Sequence, residues 1–176
     1  MTATKTEIGE REVPRAAHKP STIDVPLENL PAIDEHYIDV DAPAETTYQA
    51  LFPAIERFFA GKFAQGYCER IGAMETEKHG DLHHPGGTLP GFTVTRAIEP
   101  VMLALAGEHR FAKYAVVFRI DLLPEKRSRV KLETRADFTP GRGRIYKAAV
   151  IGTHGHVLVV NRMLRAIKRG AEHGNR

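Results

Sequence analysis

Between Gly91 and Phe138 four extended segments follow one another with very short connections, and this spacing constrains the fold more than any other feature of the chain. Gly91 to Glu99 alternates through Phe92, Val94 and Arg96. Pro100 separates it from the apolar run Val101 to Ala106, and Tyr114 to Leu123 and Arg129 to Phe138 complete the set. A parallel crossover needs about a dozen or more residues, so strands this close in sequence pair antiparallel. Strand alternation then sorts the faces. Tyr114, Val116, Phe118 and Ile120 share one side with Leu132, Thr134, Ala136 and Phe138. Ala115, Val117 and Arg119 take the other, with Lys131, Glu133, Arg135 and Asp137 read as a solvated outer face.

The segment after this sheet, roughly Gly141 to Ala171, is long and helical. At about 100° per residue, Ala149, Gly152, His156, Val159, Val160, Met163 and Ile167 form one broad inward face. Lys147, His154, Arg165 and Lys168 fall opposite. Val150, Ile151, Val157 and Leu158 widen the apolar surface, which admits burial under an arm, a lid or a homodimer contact. Gly152 faces inward, where a small residue allows close approach of the sheet or leaves space for a ligand. An antiparallel sheet closed by one long helix is an α+β domain.

The front half is less regular. Met1 to Ser21 is polar and aperiodic and reads as a mobile tail; Ile23 to Ala32 reads as an extended arm lying on the domain. His36 to Val40 is a short strand with Ile38 and Val40 on one face. Pro43 suits the first position of a helix, and Tyr48, Leu51, Phe52, Ile55, Phe58 and Phe59 repeat at helical spacing. Pro53 removes a backbone donor inside that run, so two short helices with a kink are expected. Gly66 to Glu77 fits either helix or strand, and His79 to Pro90 reads as a loop.

With 176 residues, 42% apolar and 27% charged, the chain has an ordinary globular balance and room for one domain with a sizeable core. Cys68 is the only cysteine, so no intramolecular disulfide or thiolate zinc site forms, and a cytoplasmic location is the simplest expectation. The first residues lack the apolar core of a secretory signal, and no apolar run is long enough to span a membrane. From Arg142 onward eight Lys or Arg residues face Glu172 alone. Tyr146 is the one aromatic residue among them, too little for a nucleic-acid stacking platform, so none is expected. Cations near a helix C-terminus offset its dipole, and an anionic partner is the alternative reading.

The order of strand, paired helices, antiparallel strands and terminal helix resembles the START-like or SRPBCC superfamily, which includes polyketide cyclases. The resemblance rests on YIDVDAPAETTYQALF from Tyr37 to Phe52, GEHRFAKYAVVFRIDL from Gly107 to Leu122, RVKLETRADF from Arg129 to Phe138 and RGRIYKAAVIGTHGHVLVVNRMLRAI from Arg142 to Ile167. Gly61 to Pro90 matches poorly. The resemblance implies a helix-grip fold: a curved antiparallel sheet, two short helices, and a long C-terminal helix packed across it over an apolar cavity. It implies a hydrophobic small-molecule ligand, no cofactor and no universal catalytic residue.

Candidate residues follow from the faces. Phe92, Val94, Tyr114, Val116, Phe118, Ala149, Gly152, His156, Val160 and Met163 are expected to line the cavity, with Arg110 at its mouth beside His109 to meet an anionic head group. His156 is the candidate acid or base and Tyr114 its candidate partner. His79, Asp81, His83 and His84 carry metal-ligating side chains, but adjacent histidines in a Gly/Pro-rich loop rarely converge, so no metal is expected. Phosphate-cradling loops and nucleophile elbows are absent. Two functional classes stay open: a binder or carrier of a lipid, polyketide or aromatic molecule, and a cyclase, aromatase or dehydratase using His156 and Tyr114. The basic helix as a module for an anionic partner is a third.

Overall fold

The four consecutive strands form, the strand expected at His36 to Val40 joins them in a longer form, and a two-residue strand at Thr88–Leu89 is added within the expected loop. In a computed structural model, which describes residues 27–143, 145, 148 and 155–174, a 3-10 turn at Leu27–Asn29 precedes β1 (Ala32–Val40), α1 (Ala44–Phe59) and α2 (Lys62–Ile71). Then come β2 (Thr88–Leu89), β3 (Phe92–Ile98), β4 (Met102–His109), β5 (Ala112–Leu123), β6 (Arg127–Phe138) and α3 (Gly155–Gly174). The order across the antiparallel sheet is β1-β6-β5-β4-β3-β2, so the first strand lies beside the last. β5 turns into β6 through Pro124 to Lys126, where Glu125 and Lys126 take φ of 61° and 55°, the left-handed turn that matches strand twist. The tail, the arm from Ile23 to Pro26, and Lys147, Ala149, Val150, Ile151, Gly152 and His154 of the expected helix lie outside the described residues.

The expected inner face of β5 and β6 is the concave one. Phe118, Ile120, Val130 and Leu132 pack with Val40, Tyr48, Leu51, Ile55, Met163, Leu164 and Ile167 into one core. The outer face corrects the expectation. Glu133 is buried, paired with Arg119 at 2.9 Å and Arg135 at 2.6 Å, and Ala115 and Val117 are buried as well. The cause is the described end of the arm: Leu30 packs on Ala106 and Ala115, and its carbonyl accepts from Arg135 Nη1 at 3.1 Å.

Pro53 also departs from expectation, since α1 continues through it and the chain breaks instead between Phe59 and Lys62. Pro53 is on the exposed side, where the carbonyl it leaves unbonded meets solvent. Its penalty of about 3 kcal/mol is outweighed by Tyr48, Leu51, Phe52 and Ile55, each worth about 1.5–3 kcal/mol when buried. Pro43 stands just outside the helix, at its N-cap.

α3 packs on α1 and β1 as well as the sheet, which turns its buried stripe to Val160, Met163, Leu164, Ile167 and Ala171. Val159, expected inside, is 43% exposed and borders an open cavity rather than the solid core. Lys168, expected outside, donates to the Asp39 carbonyl at 2.7 Å and pairs with Glu172 at 3.0 Å. Arg162, Arg165 and Arg169 are exposed. Among the described residues no helix is long and apolar enough to cross a membrane.

Candidate functional site

Large side chains fill one end of the concave face; small ones leave the other open. At the open end β5 and β6 pair Ala112 with Phe138, Tyr114 with Ala136, and Val116 with Thr134. Above them lies a cavity of about 450 Å³. Its far walls are Phe59 of α1, Ala64, Tyr67, Cys68 and Ile71 of α2, Pro90 and Phe92 beside β2 and β3, and His156, Val159, Val160 and Met163 of α3. Carbon dominates the lining, and the polar groups are few.

One polar cluster surrounds Tyr114. Its hydroxyl donates to the Gly91 carbonyl at 2.7 Å, and its ring meets Phe92 edge-on at 5.3 Å and His109 at 5.1 Å. The ring can lie this way because its partner across the ladder is Gly107. A Cβ at that position would stand 2.6 Å from Tyr114 Cζ.

His109 closes the same corner and is buried. Its Nδ1 accepts the Phe111 N–H at 3.1 Å, which leaves the ring proton on Nε2. Burial pushes its pKa down, against an opposing backbone hydrogen bond and with help from the Arg110 charge. The unfolded chain therefore binds this proton at higher pH than the folded one, and stability falls as pH drops below the ordinary value of 6.5. His109→Phe is expected to flatten the loss of stability between about pH 7 and 5, a slope read from urea unfolding at several pH values. An unchanged slope would assign the loss to other groups. Cys68, also in the wall, has its thiol pushed up by burial, so it stays protonated and unreactive.

The second polar cluster is at His156. Its Nε2 is 3.1 Å from Thr134 Oγ1 on β6 and 3.3 Å from the carboxylate of Asp34 on β1. Asp34 also meets His36 Nε2 at 3.3 Å. The ladder places Asp34 directly opposite Thr134, so strand pairing sets the carboxylate and hydroxyl side by side beneath the imidazole.

Of the residues singled out by sequence, Phe92, Tyr114, Val116, His156, Val160 and Met163 line this cavity. Val94 and Phe118 sit in the solid core instead. Arg110 is committed elsewhere: Nε donates to the Ile71 carbonyl and a terminal nitrogen to the Arg70 carbonyl, both at 2.9 Å. These carbonyls end α2 where Gly72 turns left-handed at φ 70°, so the guanidinium caps a helix. Arg110→Ala is expected to destabilise the fold by about 1 kcal/mol in urea unfolding while leaving ligand affinity unchanged. A large affinity loss would instead place the guanidinium at the ligand.

The α2 wall and Asp34 are functional candidates that sequence reasoning missed. Leu132, Thr134, Ala136 and Phe138, on the inner face by alternation, line the cavity as well. In the loop, His83 stacks on Phe52 at 3.6 Å, with Nδ1 2.7 Å from Asp81 and Nε2 3.2 Å from Gln49. Among the described residues no three His, Cys, Asp or Glu side chains are grouped as metal ligands.

No protein-family model matches the chain, and no curated protein is similar in sequence. Solved structures do match. The Zhui aromatase/cyclase from Streptomyces sp. R1128 aligns at TM-score 0.52 and 15% identity over 81% of this chain and 94% of that one. A conserved protein from Geobacillus kaustophilus aligns at 0.48 and 14% over 78% and 93%, and CalU16 from Micromonospora echinospora at 0.45 and 16% over 79% and 83%. The chain has the START-like helix-grip fold, with its six-stranded antiparallel sheet and terminal helix across it. At such identity the likeness speaks for the fold alone.

Proposed function

We propose that this chain binds or carries a hydrophobic small molecule, of lipid, polyketide or aromatic type, between the sheet and α3. The observation that carries the reading is the cavity of about 450 Å³ with its largely carbon wall. Close-packed interiors hold few voids larger than a water molecule, and cavities of roughly 300–1,000 Å³ with a few polar groups suit drug-sized ligands. The aromatic side made by Phe59, Phe92 and Tyr114 favours a flat or unsaturated molecule. The carrier acts in the cytoplasm, in keeping with a single buried thiol.

A catalytic version of this reading, cyclase-like or dehydratase-like, draws support from the carboxylate beneath His156. Tyr114 contributes to it by shaping the wall, with its hydroxyl held by Gly91.

The test is native mass spectrometry after gentle purification, together with titration of N-phenyl-1-naphthylamine, a neutral fluorophore. A retained apolar mass, or saturable fluorescence enhancement with one site per chain, is expected. A ligand-free mass and no enhancement would overturn the proposal.

A further inference from the structure

His156 Nε2 is 3.3 Å from both oxygens of Asp34. A carboxylate only accepts hydrogen bonds, so the nitrogen facing it must carry the ring proton. The other tautomer would set lone pair against lone pair. Thr134 Oγ1, at 3.1 Å from the same nitrogen, completes the holding of the ring. Nδ1 is thereby left as the basic atom, and among the described residues no hydrogen bond engages it, while His156 forms part of the cavity wall.

We infer that Asp34 and His156 are a proton-accepting pair serving the cavity, and that its ligand carries an acidic O–H, a phenol or an enol. The inference rests on the ligand-binding reading of that cavity. In the step, the ligand O–H bond breaks and its electron pair stays on oxygen, giving phenolate or enolate. The proton forms a new bond to Nδ1, and the imidazolium so made is balanced by the Asp34 carboxylate. Return of the proton restores both partners. Asp34 is a positioning residue here, acting through His156 by fixing its tautomer and offsetting its charge.

The surroundings favour this atom. On β1, His36 shares Asp34 and sits two residues further along the strand. Thr134, the facing group on β6, is uncharged. The other ionisable groups of the wall are His109, Tyr114, Tyr67 and Cys68. Of these, His109 is held neutral by burial and Cys68 protonated, and Tyr114 already donates to Gly91. On α3 itself, the nearer Arg162 and Arg165 are exposed, and Lys168 and Glu172 are three turns or more away.

The probes are 4-nitrophenol, whose ionisation is visible, and 4-nitroanisole, which has no proton to give. The wild-type complex is expected to show the phenolate absorbance at pH values where free 4-nitrophenol is protonated. Asp34→Asn should lower the phenolate fraction roughly tenfold, as for loss of one opposite charge beside the site, and His156→Gln should abolish it. The wild-type chain should bind 4-nitroanisole saturably at the same cavity. In ligand-free protein, nitrogen-15 spectra of labelled histidine should show His156 protonated at Nε2 in the wild type and a tautomer mixture in Asp34→Asn. Phenolate unchanged by both variants, or a wild-type His156 protonated at Nδ1, overturns the inference. Failure of 4-nitroanisole to bind overturns instead the ligand-binding reading beneath it.

Discussion

Replacing Gly107 with alanine is expected to destabilise the chain by about 3 kcal/mol, the upper range for forcing an extra carbon into a packed site. Gly107 lies opposite Tyr114 in the β4/β5 ladder, and the added Cβ would meet both the Tyr114 ring, 2.6 Å from Cζ, and the Gly91 carbonyl oxygen. The ring cannot move aside without breaking its 2.7 Å hydrogen bond to that same carbonyl. Nor is the carbonyl free, because the Gly91 N–H is bonded to Glu75 O at 2.7 Å. The strain therefore falls on backbone, which yields less readily than the tip of a flexible side chain. Urea unfolding measures the loss. Adding Tyr114→Ala should recover only part of it, since the clash with the Gly91 carbonyl remains. Full recovery would show that the ring alone is the obstacle, and a single variant as stable as wild type would refute the close approach altogether.

Gly107 also shows how far the sequence could be read. The strands around it were legible because period-two alternation survives wherever one face is buried, and the helical phase of α3 was legible for the same reason. Tyr114, Val116, His156, Val160 and Met163 were placed on the inner side by phase alone, and they do face the cavity. What phase does not give is depth along the strand. Val94 and Phe118 share the face with Tyr114 yet lie in solid core, because the helices close on that end of the sheet. Arg110 illustrates a different gap. A guanidinium at a strand end looks like a ligand anchor until α2 is known to end beside it, and α2 was hidden in a run that fits helix and strand equally. Asp34 escaped notice because β1 begins at Ala32, four residues before the alternation becomes visible at His36, and a bulge between Ala32 and Asp34 breaks the pattern there. The partners of His156 come from segments far apart in the chain, a juxtaposition that only strand order supplies.

Ala136→Phe is expected to separate the cavity from the fold. Ala136 faces the cavity between Tyr114 and the end of β6, and its backbone is fixed in the sheet and by the Pro31 carbonyl at 3.0 Å. A phenyl ring there projects into open space rather than into packed neighbours, and an aromatic residue suits a half-buried strand. Stability should hold or rise, as for other cavity-filling substitutions. Affinity for N-phenyl-1-naphthylamine should fall roughly 100-fold, equivalent to about 2.7 kcal/mol, since the ring occupies space the fluorophore needs. The opposite signs are the point: Gly107→Ala injures the scaffold beside the cavity, whereas Ala136→Phe spares the scaffold and removes the space. Thermal unfolding and fluorescence titration of the same protein read both quantities. Undiminished probe affinity in a stably folded Ala136→Phe chain would place the ligand somewhere other than this cavity, and with it any proton transfer to His156.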